Sequence, residues 1–488
     1  MLFGVLSYVY FLYQLSRFLK STGQIGYKYL YYNDQTTGDH SFELPTSMHP
    51  SLTSRPVKKM EIIRFSLSFF AAAGLASLAY AGDVKANPLS ELSLTLKESY
   101  DSNVFGTERN PTLAGLPEIA NVGSWITTIS PKVGLDLKSA LDLAPDSPIT
   151  ALSLGYTGDY AFFHAASTET NQRHNLSQQL KSNSSDVSVA FDNSFIYVDG
   201  KEAAPQYSLY SCYGSASARE RREQFQDRAK FVLRYDSAAW FLRAVSTALI
   251  YDLKTVQRQA VGSYTGWQNY VDRSDLNGGF DLGYKATKDL SLWAGYRYGE
   301  QKQSQLPWDL RHNDSTYHRA LIGAEGKLAP WLKLDVQVGP DFRTYRDADH
   351  LGLNGKTHTW LYTEGSISAD LSKDDALVFT NKVWHWVSST GIATYQDSAY
   401  ALNYIHKFSA AFSGTAGVRV LGSNYDLPTT RKDWLDTYSV GLRYTFSKHV
   451  AVTGDYAYTR TRNQLSDTLY PGREYSQNVF SLGVRLTY

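Results

Sequence analysis

The sequence predicts an all-β protein, a transmembrane antiparallel up-and-down β-barrel of about 18 strands. Three observations predict it. Polar and apolar residues alternate along one segment after another. The connections between segments are short and long in turn. Aromatic residues make up 14% of the chain, with 36 Tyr and 10 Trp against only 3 Met. Successive side chains of a strand point to opposite faces, so alternation gives each segment one apolar and one polar face. A single such strand also fits a soluble sandwich. Its repetition, with short turns at one end and long loops at the other, is the arrangement of an outer-membrane barrel.

Composition narrows the field further. A chain of 488 residues could hold two or three domains, but large barrels form one unit. With 48 Lys+Arg against 47 Asp+Glu, the net charge of +1 argues against a nucleic-acid footprint. The single cysteine, Cys212, excludes a disulfide scaffold and any multi-cysteine metal site.

The first elements are not strands. Residues 60–81 have the order of a bacterial secretory signal. Lys58, Lys59 and Arg64 precede an apolar run from Phe65 to Leu78, and Ala79-Tyr80-Ala81 forms a small-x-small cleavage site. The apolar run is short of the roughly 20 residues a helical span needs. A signal of this kind works from the true N-terminus. Residues 1–59 are therefore expected to be an extended gene-start segment outside the mature protein, and residues 82–488 to be the barrel. A membrane anchor within 1–59 is the alternative.

The strand elements follow in order. In 89–100, Leu92, Leu94 and Leu96 oppose Ser93, Thr95 and Lys97. In 124–138, Ile129, Val133, Leu135 and Leu137 oppose Ser130, Lys132, Asp136 and Lys138. The next segments are 149–163, 171–181, 186–198, 226–236 and 239–253, of which 171–181 alternates poorly. In 271–286, Phe280, Leu282 and Tyr284 oppose Asp281 and Lys285. In 289–300, Leu290, Leu292, Ala294, Tyr296 and Tyr298 oppose Ser291, Gly295, Arg297 and Gly299. Segment 315–328 precedes 331–344, where Leu332, Leu334, Val336 and Val338 oppose Lys333, Asp335, Gln337 and Gly339. Segments 358–371, 375–388, 396–408 and 411–423 come next. In 434–446, Tyr438, Val440, Leu442, Tyr444 and Phe446 oppose Ser439, Gly441, Arg443 and Thr445. Segment 449–461 precedes 475–488, where Phe480, Leu482, Val484, Leu486 and Tyr488 share one face. The even count returns both ends of the barrel to one side, as bacterial single-chain barrels require. Each segment exceeds the ~9–11 residues of a tilted span. Lipid permits only helices and closed barrels to span, because every backbone polar group needs a partner. Trp240, Trp331 and Trp434 sit beside turns or strand starts, where amphipathic rings form girdles at the headgroup level.

Two stretches carry a family resemblance. The end of the chain, Phe480 to Tyr488, resembles the C-terminal assembly signal of outer-membrane proteins. The stretch Tyr100-Asp101-Ser102-Asn103-Val104-Phe105, followed by Ser124 to Leu135, resembles the second family of outer-membrane β-barrel porins of Gram-negative bacteria. The resemblance implies an outer-membrane location and a porin fold. The function expected is passive diffusion of small hydrophilic solutes. Some relatives are linked to exopolysaccharide export, so a barrel component of an export system is an alternative, as is a structural barrel with a closed lumen. Implied partners are outer-membrane lipid, small solutes and the barrel-assembly machinery, engaged through the C-terminal strand. By analogy with porins, a homo-oligomer is compatible with this reading.

No HExxH, GxSxG or phosphate-binding glycine loop is present, and the histidines are scattered. The expectation is a protein that is not an enzyme and carries no cofactor or metal. Asp347 and Asp349 read as a solvated loop. The informative polar residues are those opposite the apolar face: Lys132, Asp136, Lys230, Arg234, Asp281, Arg297, Arg319, Glu325, Lys333, Asp335, Glu364, Arg419, Arg443, Asp455 and Arg485. On the lipid face a charge costs roughly 2–4 kcal/mol at mid-depth, so these are expected to line an aqueous lumen. They either select solutes or neutralise one another. The longest loop, 199–225, carries Arg219, Arg221 and Arg222 beside several tyrosines. It is expected to fold inward as a constriction that favours anionic or sugar-like solutes.

Overall fold

A computed structural model describes residues 88–106, 123–141, 143–144, 146–200, 221–254, 272–304, 314–347, 356–387, 394–425, 431–465 and 474–488. All lie within the unit Ser77–Tyr488. The expected gene-start segment and export signal lie outside the described residues.

The described chain forms a closed 18-stranded sheet. The strands are β1 (Leu89–Asp101), β2 (Ser124–Asp136), β3 (Ile149–Phe163), β4 (Asn171–Ser184), β5 (Val187–Asp199), β6 (Gln224–Asp236), β7 (Trp240–Leu253), β8 (Arg273–Lys285), β9 (Leu290–Gln303), β10 (Ser315–Ala329), β11 (Leu332–Tyr345), β12 (Thr357–Asp370), β13 (Asp375–Val387), β14 (Thr394–Lys407), β15 (Phe412–Tyr425), β16 (Arg431–Ser447), β17 (Val450–Leu465) and β18 (Ser476–Thr487). Each pairs antiparallel with its sequence neighbours, and β1 closes the cylinder by pairing with both β2 and β18. Closure removes the unpaired strand edges that an open sheet would expose.

The fold class, the strand number and the order therefore agree with the alternation. The ends differ by a few residues. β16 and β17 run beyond the expected 434–446 and 449–461 because their ladder continues to Arg431 opposite Leu465, each strand supplying the other's hydrogen bonds. The poorly alternating segment is β4. Its register sets Gln178 on the same face as Leu154 of β3 and Asn193 of β5, so both of its faces carry polar residues.

The two faces of the wall are distinct. Leu92, Leu94 and Leu96 of β1, Phe280, Leu282 and Tyr284 of β8, and Phe480, Leu482 and Leu486 of β18 are exposed on the outside. Trp240 and Trp331 are exposed at the short-turn end of this belt. On the opposite, inner face, Asp281, Arg297, Arg319 and Arg343 are buried. One connection on the short-turn side is longer than the rest, 137–148, and begins with a helical turn, Leu137–Ala140.

Candidate functional site: the inner face of the barrel

The strand registers place the inner-face charges in groups. The largest runs across β6–β10. Asp281 of β8 receives Arg297 of β9 in a two-pronged contact, at 2.6 and 2.9 Å, and Arg243 of β7 at 2.7 Å. Arg243 also reaches Glu325 of β10, which holds Arg234 of β6 on its other oxygen. Arg234 continues to Asp236 at 2.8 Å, and Asp236 to Lys285 at 3.0 Å. Cations and carboxylates thus alternate without a break from Arg297 to Lys285. A buried charge is tolerable only when it is paired and hydrogen-bonded, and each member of this chain is flanked by opposite charge.

A second group lies nearer the long-loop end. Asp341 of β11 accepts from Arg319 at 2.7 Å and from Arg343 at 3.0 Å. Arg343 donates to Gln301 at 2.6 Å, Gln301 to Asp275 at 2.7 Å, and Tyr317 to Asp275 at 2.6 Å. Elsewhere Lys382 pairs with Glu364 at 3.1 Å, and Lys132 meets Glu91 at 2.7 Å, where Arg485 also binds. Asp136 accepts the main-chain N–H of Lys138.

Of the residues singled out in the sequence, Arg234, Asp281, Arg297 and Glu325 share one chain, Arg319 belongs to the second group, and Lys132 and Arg485 converge on Glu91. Glu364 is paired with Lys382. Lys230, Lys333, Asp335, Arg419, Arg443 and Asp455 are exposed on the inner face and make no ion pair among the described residues. Sequence reasoning passed over Arg243, Asp341 and Arg343, although they share the inner-face parity of Asp281 and Asp335.

Apolar side chains also stand on the inner face. Phe241, Trp293, Leu321 and Tyr362 form one buried cluster, with Trp384 packed against it. Arginines cover it. Arg234 lies 3.7 Å from the centre of the Phe241 ring, Arg243 5.0 Å from that of Trp293, and Arg319 4.0 Å from that of Tyr362. The electron-rich ring face attracts the cation, and the planar guanidinium stacks on it. Room for these rings comes from glycine. A Cβ on Gly283 would stand 2.1 Å from the Phe241 ring, and one on Gly323 2.3 Å from the Trp293 ring.

The most consequential departure from a plain barrel is at the end of β13. Its ladder with β12 stops at Val383 opposite Thr363, while its ladder with β14 continues to Val387 opposite Thr394. Beyond Val383 the end of β13 has parted from β12 and lies against the inner face, while β14 stays paired with β15 as far as Tyr395 opposite Tyr425. His385 stacks on Trp360 of β12 with ring centres 4.5 Å apart. Gln301 of β9 donates to the His385 carbonyl at 3.0 Å, and Arg273 of β8 to the Val387 carbonyl at 2.9 Å. Arg273 also lies 4.9 Å from the Trp386 ring. His385, Trp386, Val387, Thr394 and Tyr395 are all buried. The end of β13 therefore forms a strap, still tied through β14 to β15, that covers the inner wall from β12 to β8 at the long-loop end.

The expected constriction loop, 199–225, lies mostly outside the described residues, Arg219, Cys212 and its tyrosines included. Arg221 and Arg222 are described. They clamp Glu169, in the 3₁₀ turn Ser167–Glu169, each at 2.9 Å, and Arg221 donates to the Val104 carbonyl at 2.8 Å. The side chain of Glu169 is 2% exposed. These arginines thus tie three rim segments together. Asp349 also lies outside the described residues.

The Asp101-Ser102-Asn103 stretch bolts the closing seam. Gln477 of β18 donates to Asp101 and to the Asn103 carbonyl, and Asn103 donates to the Ser476 carbonyl. Gly106, at φ 59°, lets the chain turn back there.

Residues 257–488, which include β8–β18, match the family model described as "Putative beta-barrel porin 2", the family that the sequence resembles. The quoted stretches 100–105 and 124–135 lie outside the matched part. Among curated proteins, no sequence matches this chain. Solved structures similar to it are outer-membrane proteins. The chain is 11% identical to opdK of Pseudomonas aeruginosa, with a TM-score of 0.38, covering 82% of this chain and 99% of that one. It is 12% identical to OccK11 (OpdR) of Pseudomonas aeruginosa, with a TM-score of 0.36 and coverage of 82% and 96%. It is 9% identical to a protein titled "Copper transporter OprC", with a TM-score of 0.39 and coverage of 82% and 80%.

Proposed function

We propose that this chain is a bacterial outer-membrane porin through which small hydrophilic solutes diffuse passively. The observation that carries this reading is the inner face of β15–β17. Arg419, Arg443 and Asp455 stand there exposed and without an ion pair among the described residues. An isolated charge in a dry interior is too costly to keep, so these side chains need water around them. A barrel of ~16–18 strands is wide enough to hold it. The apolar belt outside supports residence in lipid, and export through 60–81 and assembly through the strand ending at Tyr488 belong to the same reading.

The mechanism requires no cofactor. On the inner face of β6–β13 the ion chains, the aromatic cluster and the strap take up the middle and the long-loop end, with Lys230, Lys333 and Asp335 left exposed. Solutes pass along the remaining wall, where side chains are small or hydrated, and the β13 strap narrows the way. We place the narrowing here because Arg221 and Arg222 are engaged by Glu169, whereas Arg219 and 201–220 lie outside the described residues. The test is single-channel recording of the purified protein in a planar bilayer. Discrete, voltage-independent steps are expected. A sealed bilayer, with the barrel shown folded by its heat-modifiable migration, would overturn the diffusion reading in favour of a closed structural barrel.

A further inference from the structure

On the open side of the barrel, one row of facing residues crosses four strands. Arg443 of β16 is opposite Thr453 of β17, Thr453 is opposite Gly483 of β18, and Gly483 is opposite Lys97 of β1. All four share the inner face. At about 4.8 Å between neighbouring strands, roughly 14 Å of wall separates the Arg443 and Lys97 backbones. Between them the floor is low. Gly483 has no side chain, and the Thr453 hydroxyl is 2.9 Å from where a Gly483 Cβ would stand. The Lys97 Cγ is 3.8 Å from that same point, so the stem of the lysine packs beside the glycine. Two long cations thus flank a shallow floor that carries one hydroxyl donor.

The surrounding carboxylates compensate these cations only in part. Most carboxylates of this wall are engaged elsewhere: Glu91 by Lys132 and Arg485, Asp101 by Gln477, and Asp159 by Ser130. Asp455 is exposed, and it lies over Gly441, one pair of residues along from Arg443. Lys97 and Arg443 make no ion pair among the described residues. At 0.1 M salt the Debye length is about 10 Å, so the cations act on solutes that pass along their own wall and hardly on those elsewhere.

We infer that Lys97 and Arg443, over the Thr453–Gly483 floor, form an anion-binding site on the permeation path, and that the pore prefers small anions, oxyanions above all. Ammonium and guanidinium donors with a hydroxyl between them match the acceptor oxygens of a carboxylate or phosphate. This inference rests on the diffusion reading and adds the class of solute.

The experiment uses the protein purified from outer membranes of cells expressing the full chain. The reversal potential across a KCl gradient and the block of chloride current by inorganic phosphate are recorded for the parent, for Lys97→Ala/Arg443→Ala, and for Lys288→Ala, a turn residue with a 91% exposed side chain. The parent and Lys288→Ala should be anion-selective and lose current as phosphate is added. The double variant should lose most of that selectivity and need several-fold more phosphate for the same block. Discrete steps with cation selectivity, or a double variant that is blocked like the parent, would overturn the inference while leaving the diffusion reading intact. Absence of steps from a folded barrel would remove the diffusion reading itself, and the inference with it.

Discussion

Gln301 on β9 hydrogen-bonds the main-chain carbonyl of His385 on β13 across the inner face of the barrel, at 3.0 Å, although β10, β11 and β12 intervene in the wall. Only a strand end that has parted from its wall neighbour, as β13 has from β12, can present its backbone to the inner side of another. The contact therefore defines the strap, and Arg273 on the Val387 carbonyl repeats it one strand further on.

Releasing the strap should widen the pore. A hydrogen bond from a neutral donor contributes about 0.5–1.5 kcal/mol and one from a charged donor about 1.5–3 kcal/mol. Together these two anchors hold the end of β13 by about 2–4.5 kcal/mol, enough to keep a detached state rare. Gln301→Ala with Arg273→Ala should raise single-channel conductance by up to about two-fold, because the strap covers one side of the lumen and not all of it. It should also increase current noise on the millisecond scale as the end of β13 attaches and detaches. Unchanged conductance with unchanged noise would show that the strap does not limit flow.

Asp281 should prove costly to remove. Its side chain is fully buried and holds two arginines, Arg297 and Arg243. Breaking a buried pair by deleting one partner typically costs 3–5 kcal/mol, since the remaining charge is left uncompensated. Asp281→Ala should lower the urea midpoint of the folded barrel accordingly. Arg297→Met in the same background should restore part of the loss, because one of the stranded cations is then gone. Additive losses in the double-mutant cycle would show that the pair is not coupled.

Much of this fold was legible because a membrane barrel writes its period into the sequence. Along β8, β9, β16 and β18, an apolar exterior and a polar interior both demand alternation, so parity alone assigned the faces of Asp281, Arg297 and Arg443. The strap and the aromatic cluster were not legible for the same reason. Phe241 and Trp293 are apolar residues on the inner face, and a rule that sends apolar side chains to lipid has no place for them. Adjacent pairs such as Trp240-Phe241 and Leu292-Trp293, where both parities are apolar, were the available signal of a packed interior. For β13, the run Trp384-His385-Trp386-Val387 continues the strand period, and nothing in it announces that its ladder with β12 ends at Val383. That departure depends on partners more than 80 residues away in sequence, such as Gln301 to His385 with a separation of 84. Arg221 and Arg222 read as part of an inward-folding constriction because their partner, Glu169, belongs to a different rim segment.

Glu169→Ala should loosen the rim without unfolding the wall. The carboxylate receives Arg221 and Arg222, and Arg222 is 3% exposed, so its charge would be stranded. Hydrogen exchange is expected to accelerate in 164–170 and 221–226, with β8–β12 unaffected, because opening there is local and below the global unfolding cost. Uniform acceleration along all strands would contradict a local staple.

Gly323→Ala tests whether the aromatic cluster is packed as tightly as its geometry states. The new Cβ would stand 2.3 Å from the Trp293 indole, a separation no pair of non-bonded carbon atoms sustains. The indole has little room to retreat, with Phe241, Leu321 and Tyr362 around it and Arg243 above. Overpacking of this kind costs typically 1–3 kcal/mol. The temperature at which the compact, heat-modifiable form is lost should fall. Trp293→Leu alone should also destabilise the barrel, by leaving a cavity. Combined with Gly323→Ala, however, it should lose less than the two single changes added together, since the smaller side chain makes the room the methyl needs. Strict additivity would mean that Trp293 does not fill the space above Gly323.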